Sequence, residues 1–271
     1  MSIDVREFWN FDDPAVSEKR FRAVIKRRSL SHDEKLEIWA QIARTFSLRR
    51  DCEKCHSVLD EFWDDAMASG PRPKACFELE RGRAFRTSGD PQSGIPYFQI
   101  AAQSEAEDLK VDAIHMLAII AKGEESRRLN REALEIAKKS ENPWAVRWQG
   151  TLCNNLGWSS FDEEKYDEAI EWFKVTVSER EKYGNESAIR IAKWCLGRAY
   201  RASGELDSAL EIQNELAQNG EDGFVDEELG EIYLEQGKAD EAKPHFRRAV
   251  ERLESELGTD SERIQRMRSL S

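Results

Sequence analysis

Apolar and small residues recur along most of the chain at the three- and four-residue spacing of amphipathic helices, most clearly from Trp194 to Val250. Within this stretch the pattern Leu-Gly-x-x-Tyr occurs twice, beginning at Leu196 and at Leu229, 33 residues apart. In each copy a second glycine follows the first by seven residues, and an alanine follows it by twelve. This spacing predicts a helix, a turn and a second helix that packs on the first through small side chains.

The same register extends over most of the chain, with the first glycine of each copy as the reference position. Equivalent reference residues are Ala43, Gly82, Ala118, Gly157, Gly197 and Gly230. Twelve residues after them, five of the six residues are small. Sixteen residues after them lie Leu59, Phe98, Leu134, Phe173, Gln213 and Phe246. The register therefore predicts about six helical hairpins, with Gln213 as its weakest point.

Two capping signals mark the start of this array. Asp13 before Pro14 is typical of an N-cap with a first-turn proline, and it predicts a helix from Pro14 to about Arg28. The apolar side of this segment predicts a capping helix, and its basic side leaves phosphate binding open as an alternative. Ser31 and Glu34 form a capping box at the first hairpin. We expect an N-terminal segment with a capping helix (1–32), a hairpin array (33–256) and a C-terminal tail (257–271).

The repeated residues resemble the tetratricopeptide repeat signature. They are Leu196, Gly197, Tyr200 and Ala209 in one copy and Leu229, Gly230, Tyr233, Ala242, Phe246 and Ala249 in the next. The resemblance implies an all-α fold, a right-handed α-solenoid of about six hairpins with an N-terminal capping helix. Trp194 lies one residue closer to its Leu-Gly pair than in the signature, and no repeat has the terminal proline. The chain also resembles bacterial tetratricopeptide-array proteins that begin with an Asp-Pro capped helix, a likeness that supplies no activity.

Composition favours a cytoplasmic protein with a polar exterior. Charged residues make up 35% of the chain and the net charge is −12, which disfavours nonspecific binding to nucleic acid. The longest apolar run, from Ala113 to Ala121, is too short to cross a bilayer, and the start of the chain lacks the pattern of a signal peptide. Five irregularly spaced cysteines indicate reduced thiols.

Few patterns point to catalysis or to a cofactor. Cys52 to His56 matches C-x-x-C-H, the haem attachment pattern, but covalent attachment would require export and Cys55 occupies a small packing position of the first hairpin. A zinc half-site from Cys52 and Cys55 lacks a second pair of ligands. No phosphate-binding loop or nucleophile motif occurs. We therefore expect no enzyme activity, no metal and no cofactor.

The resemblance implies that the first helix of each hairpin lines a concave groove. The groove residues it selects are Arg83, Arg86, His115, Asn154, Trp158, Trp194, Arg198 and Arg201, with Asn155 at one carboxylate-clamp position. Cys195 stands where the next clamp arginine would be, so recognition of a chaperone tail is not predicted. Two interpretations stay open: the arginines and tryptophans bind a ligand, or they pair with neighbouring glutamates and bridge adjacent repeats.

The leading hypothesis is a non-enzymatic scaffold that binds a protein or peptide of unknown identity with acidic or aromatic side chains. The wall is basic up to Arg201 and acidic at Glu227 and Glu231, which would give a bound segment a preferred direction. The alternative is a self-associating protein that forms a homo-oligomer or occludes its own surface. In this case the acidic and aromatic stretch from Glu7 to Asp13 enters a groove or an open array end. RNA binding is disfavoured by the net charge, although the groove itself is basic.

Overall fold

The structure is a computed structural model that describes residues 3–27 and 29–271, and within them every regular element is a helix. The chain forms two compact units, Met1–Leu152 (unit 1) and Cys153–Ser271 (unit 2), which are described separately. In the described part of the chain, none of the helices combines the length and the apolar composition that a bilayer crossing requires.

Unit 1 begins with a 3-10 helix at Val5–Phe8. Its α-helices are α1 (Pro14–Arg27), α2 (His32–Leu48), α3 (Cys52–Glu61), α4 (Trp63–Ala68), α5 (Pro71–Thr87), α6 (Pro91–Ala101), α7 (Glu107–Ile120), α8 (Gly123–Lys139) and α9 (Pro143–Val146). The unit boundary falls within α10 (Gln149–Asp162). Unit 2 continues with α11 (Tyr166–Glu181), α12 (Glu186–Ser203), α13 (Leu206–Gln218), α14 (Gly223–Glu235), α15 (Ala239–Leu257) and α16 (Glu262–Leu270). Arg28, where the first helix was expected to end, lies outside the described residues.

The six predicted hairpins are confirmed as consecutive helix pairs. They are α2/α3, α5/α6, α7/α8, α10/α11, α12/α13 and α14/α15. The predicted capping box is also present: the amide of Glu34 donates to the Ser31 hydroxyl over 3.2 Å, and the amide of Ser31 donates to the Glu34 carboxylate over 2.8 Å. Two short helices that the pattern did not predict, α4 and α9, account for long spacings between reference positions, because they fill the connections after hairpins one and three.

A phenylalanine packs directly on the reference glycine in three hairpins. A Cβ atom added at Gly82 or at Gly157 would lie 2.6 Å from the ring sixteen residues later, and one added at Gly230 would lie 2.8 Å from the ring of Phe246. These rings are fully buried. Where the reference residue is alanine, as at Ala43 and Ala118, the partner position holds the smaller leucine. A smaller reference residue thus pairs with a larger partner, which keeps the combined volume between the two helices of a hairpin similar.

Gln213 is the exception in this packing. It occupies the partner position of Gly197 and is fully buried, with its side-chain nitrogen 3.5 Å from the carbonyl oxygen of Trp194. Its Oε1 atom is buried and accepts no hydrogen bond. A buried amide oxygen without a donor costs free energy relative to an apolar group of the same shape.

The C-terminal residues expected to form a tail contain a packed helix. α16 buries Ile264 and Met267 against Phe246 and Leu253 of α15. The hydroxyl of Ser261 caps its first turn by accepting from the amide of Ile264 over 3.2 Å. The short helix is ordered by this apolar contact, which closes the open face of the last hairpin.

We predict that Gly82→Ala lowers the free energy of unfolding by about 1–3 kcal/mol, because the added methyl group overlaps the ring of Phe98. Adding Phe98→Leu should remove part of this cost, since alanine and leucine already pair at Ala43 and Leu59. Urea unfolding of both single variants and the double variant measures this coupling. Strict additivity of the two effects would contradict the packing pair.

We also predict that Gln213→Met raises the free energy of unfolding by about 1 kcal/mol, because it removes a buried unsatisfied oxygen at nearly constant volume. Gln218→Met in the same helix, at an exposed position, is the matched control and should change little. Thermal and urea unfolding measure both. A loss of stability in Gln213→Met would mean that the weak contact with the Trp194 carbonyl outweighs the unsatisfied oxygen.

Candidate functional site

Unit 1 contains a cavity of about 360 Å³ against the first helices of its hairpins. Side chains of α2, α5, α7 and the start of α10 line it, and the residues around α9 close one side. The remaining side is formed by residues 3–11, which we call the N-terminal arm. This cavity, called the unit 1 cavity below, combines five arginines and four carboxylates with aromatic rings.

The N-terminal arm is held on these helices by two specific side chains. Arg6 donates to the carboxylate of Asp108 over 2.6 Å, and its guanidinium lies 3.9 Å from the ring centroid of Trp144. The indole nitrogen of Trp9 donates to the side-chain oxygen of Gln41 over 3.0 Å. The arm therefore occupies the cavity wall as a bound segment would, through one cation and one aromatic side chain.

This position agrees only in part with the expected occluding stretch from Glu7 to Asp13. Trp9 belongs to that stretch, but Glu7, Phe11 and Asp13 are exposed and the contacts begin earlier, at Ile3, whose amide donates to Glu34 over 2.9 Å. The dense aromatic residues at the start of the chain were the available signal. The Arg6 contact had no sequence signal, since its partner Asp108 is 102 residues away.

A second arginine, Arg72, completes the hydrogen bonding of the Asp108 carboxylate. The two terminal nitrogens of Arg72 donate to its two oxygens over 2.9 and 3.0 Å, and Arg72 Nε donates to Glu37 over 3.0 Å. Burial alone would raise the pKa of Asp108, but the hydrogen bonds and charges of Arg72 and Arg6 outweigh it and lower that pKa. The pairing therefore stabilises the fold above the ordinary aspartate pKa and is lost as the pH falls through the lowered value. Burial raises the pKa of Glu37, despite the charge of Arg72.

Arg44 and Glu80 are the incompletely bonded polar groups of the cavity wall. Glu80 forms an ion pair with Arg83, which also donates to both oxygens of Asp112 over 2.5 and 2.6 Å. The carboxylate oxygen nearest to Arg44 is 3.8 Å away, on Glu80. Arg44 Nε and Glu80 Oε2 are buried and have no hydrogen-bond partner. The ring of Trp9 lies 5.5 Å from the Arg44 guanidinium, so the arm covers this pair.

The predicted groove residues of unit 1 do not form one cluster. Arg83 lines the cavity, and His115 is buried with its ring centroid 5.0 Å from that of Trp148. Burial lowers the pKa of His115, so its ring is neutral at neutral pH. Arg86 is exposed and lies in a different depression with Arg50.

In unit 2 the predicted tryptophans form a row of rings across successive hairpins. The ring centroids of Trp158 and Trp194 are 6.3 Å apart, and those of Trp194 and Phe224 are 6.2 Å apart. The indole nitrogen of Trp194 donates to the carbonyl oxygen of Phe224 over 3.2 Å. Asn154 and Asn155, on the preceding turn of α10, are partly exposed. The tryptophans thus bridge repeats, as one of the two open interpretations held.

The predicted arginines of unit 2 are paired with glutamates of the next hairpin. Arg201 donates from Nε to Glu228 over 2.8 Å and from Nη1 to Glu235 over 2.7 Å. Arg198 lies 3.6 Å from Glu228, and its guanidinium is 5.3 Å from the ring centroid of Trp194. Arg198 Nε is buried without a hydrogen-bond partner. Most of the basic character expected here is therefore neutralised.

The acidic end of the predicted wall is neutralised as well. Arg263 of α16 pairs with Glu227, and Arg266 pairs with Glu231. The basic-to-acidic gradient expected along the wall is therefore balanced by local ion pairs. The signal was present in the sequence, because Ser261 opens a short amphipathic pattern with two arginines three residues apart.

Of the C-x-x-C-H pattern only Cys55 lies in the packed interior, while Cys52 and His56 are partly exposed. Cys55 is fully buried, and burial raises the pKa of its thiol to about 12. His56 is held by Arg81 over 2.8 Å and by a ring contact with Phe85. Among the described residues no three histidine, cysteine, aspartate or glutamate side chains are grouped as metal ligands. Burial of Cys55 confirms the packing role of this position.

A family model described as tetratricopeptide repeat-like domain matches residues 96–268 of the chain. A comparison with curated protein sequences gives no match. Together with the helix pairs, the family match confirms the resemblance on which the register was based.

Solved structures of several helical-repeat proteins are similar to this chain. The apo form of RapI is 13% identical with a TM-score of 0.72, and the match covers 96% of this chain and 76% of RapI. A Signal Transduction ATPase with Numerous Domains (STAND) protein from Pyrococcus horikoshii has a tetratricopeptide repeat sensor. It is 13% identical with a TM-score of 0.70, and the match covers 90% of this chain and 40% of that chain. The quorum sensor NprR in complex with its cognate peptide NprX is 14% identical with a TM-score of 0.55, covering 98% and 81%. These likenesses confirm the all-α solenoid class of the fold.

We predict that Arg6→Ala loosens the N-terminal arm without unfolding unit 1, because Asp108 keeps its bidentate contact with Arg72. Amide hydrogen exchange at Trp9 and Asn10, whose amides donate to Arg6 and Ser17, should accelerate by roughly fivefold, as expected for a loss near 1 kcal/mol. Arg20→Ala, at an exposed position of α1, is the control and should leave these rates unchanged. Equal exchange in all three proteins would show that Arg6 does not anchor the arm.

Proposed function

Since this chain belongs to the tetratricopeptide repeat-like family, we propose that it is a non-enzymatic scaffold that binds a protein or peptide segment with acidic or aromatic side chains. The candidate surface is a wall of packed helices that includes α2, α5 and α7. Such walls recognise extended or helical segments through pockets for a few anchoring side chains.

One observation carries this proposal: the unit 1 cavity is lined by a segment of the chain itself, the N-terminal arm. Trp9 is held there by a hydrogen bond to Gln41, and Arg6 is held by an ion pair with Asp108. A surface that holds one aromatic segment in this way has the shape and polar groups to hold another. We infer that an external segment displaces the arm and places an aromatic side chain where Trp9 lies.

The chemistry under the arm favours a partner with a carboxylate as well as an aromatic ring. Arg44 has no close carboxylate of its own, because Glu80 is engaged by Arg83. When a carboxylate completes the hydrogen bonds of a buried guanidinium, the free energy of the complex is lowered. The unpartnered oxygen of Glu80 would accept an amide N–H from the same partner.

Arg198 offers a similar opportunity in unit 2. Its Nε is unsatisfied, and its guanidinium lies within 6 Å of the rings of Trp158, Phe161 and Trp194. We propose that this arginine and the two tryptophans contribute to partner binding, while Arg201 is committed to Glu228 and Glu235. NprR, which shares the fold, is solved with a bound cognate peptide.

We place this function in the cytoplasm and do not expect nucleic acid as the partner. Four of the five free cysteines are buried and the fifth is partly buried, which suits a reducing compartment. The net charge of −12 repels polyanions, and most arginines of the cavity walls are already paired with carboxylates.

We predict that the full-length Arg6→Ala/Trp9→Ala variant binds a fluorescein-labelled peptide of residues 3–13 at least tenfold more tightly than wild type, because the arm no longer competes for the cavity. Fluorescence anisotropy measures the affinity, and the circular dichroism spectra should coincide. Adding Gln41→Ala and Asp108→Asn to the variant should abolish this gain, since they remove the two anchors of the arm.

Peptide variants then identify which side chains the cavity selects. Replacing the aromatic residues of the probe by alanine, and separately its acids by their amides, tests the two parts of the proposal. Equal affinity of wild type and the opened variant for the probe would refute the cavity as a segment-binding site. An affinity that depends on neither substitution would refute the proposed partner chemistry.

Self-association is the second candidate function, and the same observation favours it. The arm is held by side-chain contacts that an arm from another copy could also make. Light scattering on wild type and on Arg6→Ala/Trp9→Ala separates the two candidates. A mass that falls from an oligomer to a monomer in the variant would favour self-association, whereas an unchanged monomeric mass with tighter peptide binding would favour the scaffold.

A further inference from the structure

A second depression of unit 1, of about 620 Å³, lies at the turns within its hairpins and is lined by basic side chains. Arg50 follows α2, Arg86 lies in the last turn of α5 and Lys122 follows α7, so three successive hairpins each contribute one cation. The remaining lining residues are polar or apolar and none is acidic. We call this surface the basic edge.

The three cations of the basic edge are uncompensated. Arg50, Arg86 and Lys122 are exposed, and among the described residues none of them forms an ion pair with a carboxylate. This contrasts with Arg83 in the preceding turn of α5, which pairs with both Glu80 and Asp112. In a chain with a net charge of −12, a depression lined by three cations and no acid stands out as a place of local positive charge.

The backbone at Arg50 shows that the first hairpin has a side chain where several other hairpins have glycine. Arg50 has φ of 61°, in the left-handed region that favours glycine. Seven residues after the reference position, where Arg50 stands, three other hairpins have Gly89, Gly204 and Gly237, all with positive φ. The first hairpin thus keeps an arginine in a conformation that glycine adopts without strain. Glu164 of unit 2 has φ of 59° at the same register position, so only the charge of the side chain distinguishes Arg50.

The lining also supplies a place for an apolar side chain between the charges. Ile119 is 42% exposed at the end of α7, and Ile120 lies next to it in the same depression. Thr87 and Gln92 add hydroxyl and amide groups that can bond a peptide backbone. The combination matches a short segment in which carboxylates flank an apolar residue.

We propose that the basic edge formed by Arg50, Arg86 and Lys122 is a docking site for an acidic peptide segment. This inference rests on the proposed function in that both require a segment-binding scaffold. It locates the recognition of acidic side chains at the hairpin turns, separate from the unit 1 cavity. The carboxylates of the segment pair with the three cations, and its apolar residue contacts Ile119.

The experiment uses full-length protein and a fluorescein-labelled peptide in which glutamates flank a central leucine. Arg50→Gly should leave the thermal unfolding midpoint equal or higher, because glycine adopts a positive φ without strain. The same substitution should weaken peptide binding by roughly fivefold, which is the effect of losing one exposed ion pair. Adding Arg86→Gln and Lys122→Gln should remove detectable binding. Raising the salt concentration should weaken binding to wild type, and the salt dependence should be smaller for Arg50→Gly, which has lost one ion pair.

Glu164→Gly is the matched control, because Glu164 has φ of 59° at the same register position in unit 2 but carries the opposite charge. It should have the same effect on the backbone and should not weaken peptide binding. Wild-type affinity in the triple variant, no binding of the probe to wild type, or an equal loss in Glu164→Gly would each overturn the docking site. A concentration-dependent mass that the triple variant loses would overturn the peptide as occupant and assign the edge to a second copy.

The labelled peptide of residues 3–13, measured on the same variants in the Arg6→Ala/Trp9→Ala background, separates the two sites. Unchanged affinity for that probe together with loss of the acidic probe supports an edge that is distinct from the cavity. Loss of both probes in the triple variant would overturn the separation of the two sites, although the cavity itself could still function.

Discussion

The contact of a phenylalanine ring with a glycine backbone fixes the distance between the two helices of a hairpin. At Gly82, Gly157 and Gly230 there is no room for even one methyl group beside the ring. Close packing of this kind is sensitive to single carbon atoms. Because the second helix holds the first at a fixed depth and rotation, the polar residues of the first helix are presented in a fixed order. The cavity, the row of tryptophans and the basic edge all depend on this order.

Ion pairs between successive first helices use most of the charge that this order presents. Arg83 of α5 reaches Asp112 of α7, and Arg201 of α12 reaches Glu228 of α14. Buried pairs of this kind add little net stability, because desolvation offsets the attraction, but a shifted register would leave their charges unpaired. The pairs therefore specify how hairpins stack within each unit. A few groups, such as Arg44, remain incompletely bonded.

The two surfaces of unit 1 that we propose for recognition differ in their accessibility. The unit 1 cavity is covered by Arg6 and Trp9 of the N-terminal arm, so a partner that bound there would compete with a segment present at high local concentration. The basic edge is open to solvent and its cations repel one another. A segment that engages the edge first would gain the second contact as an intramolecular step. Such a partner would carry acidic residues next to an aromatic anchor.

The sequence by itself determined the helix pairs, because the relation between Gly230 and Phe246 is local and repeats at a fixed spacing. It also anticipated that Gln213 disturbs the pattern. It did not determine which arginines are free, because compensation depends on residues far apart in the chain: Glu228 neutralises Arg201, and the helix that carries Arg263 had been expected to form a tail. Only the tertiary structure brought Asp108 to Arg6, and only it placed the turns of three hairpins along one edge. Periodicity encodes which side of a helix is buried, whereas the partner of an exposed charge is decided by how the helices stack.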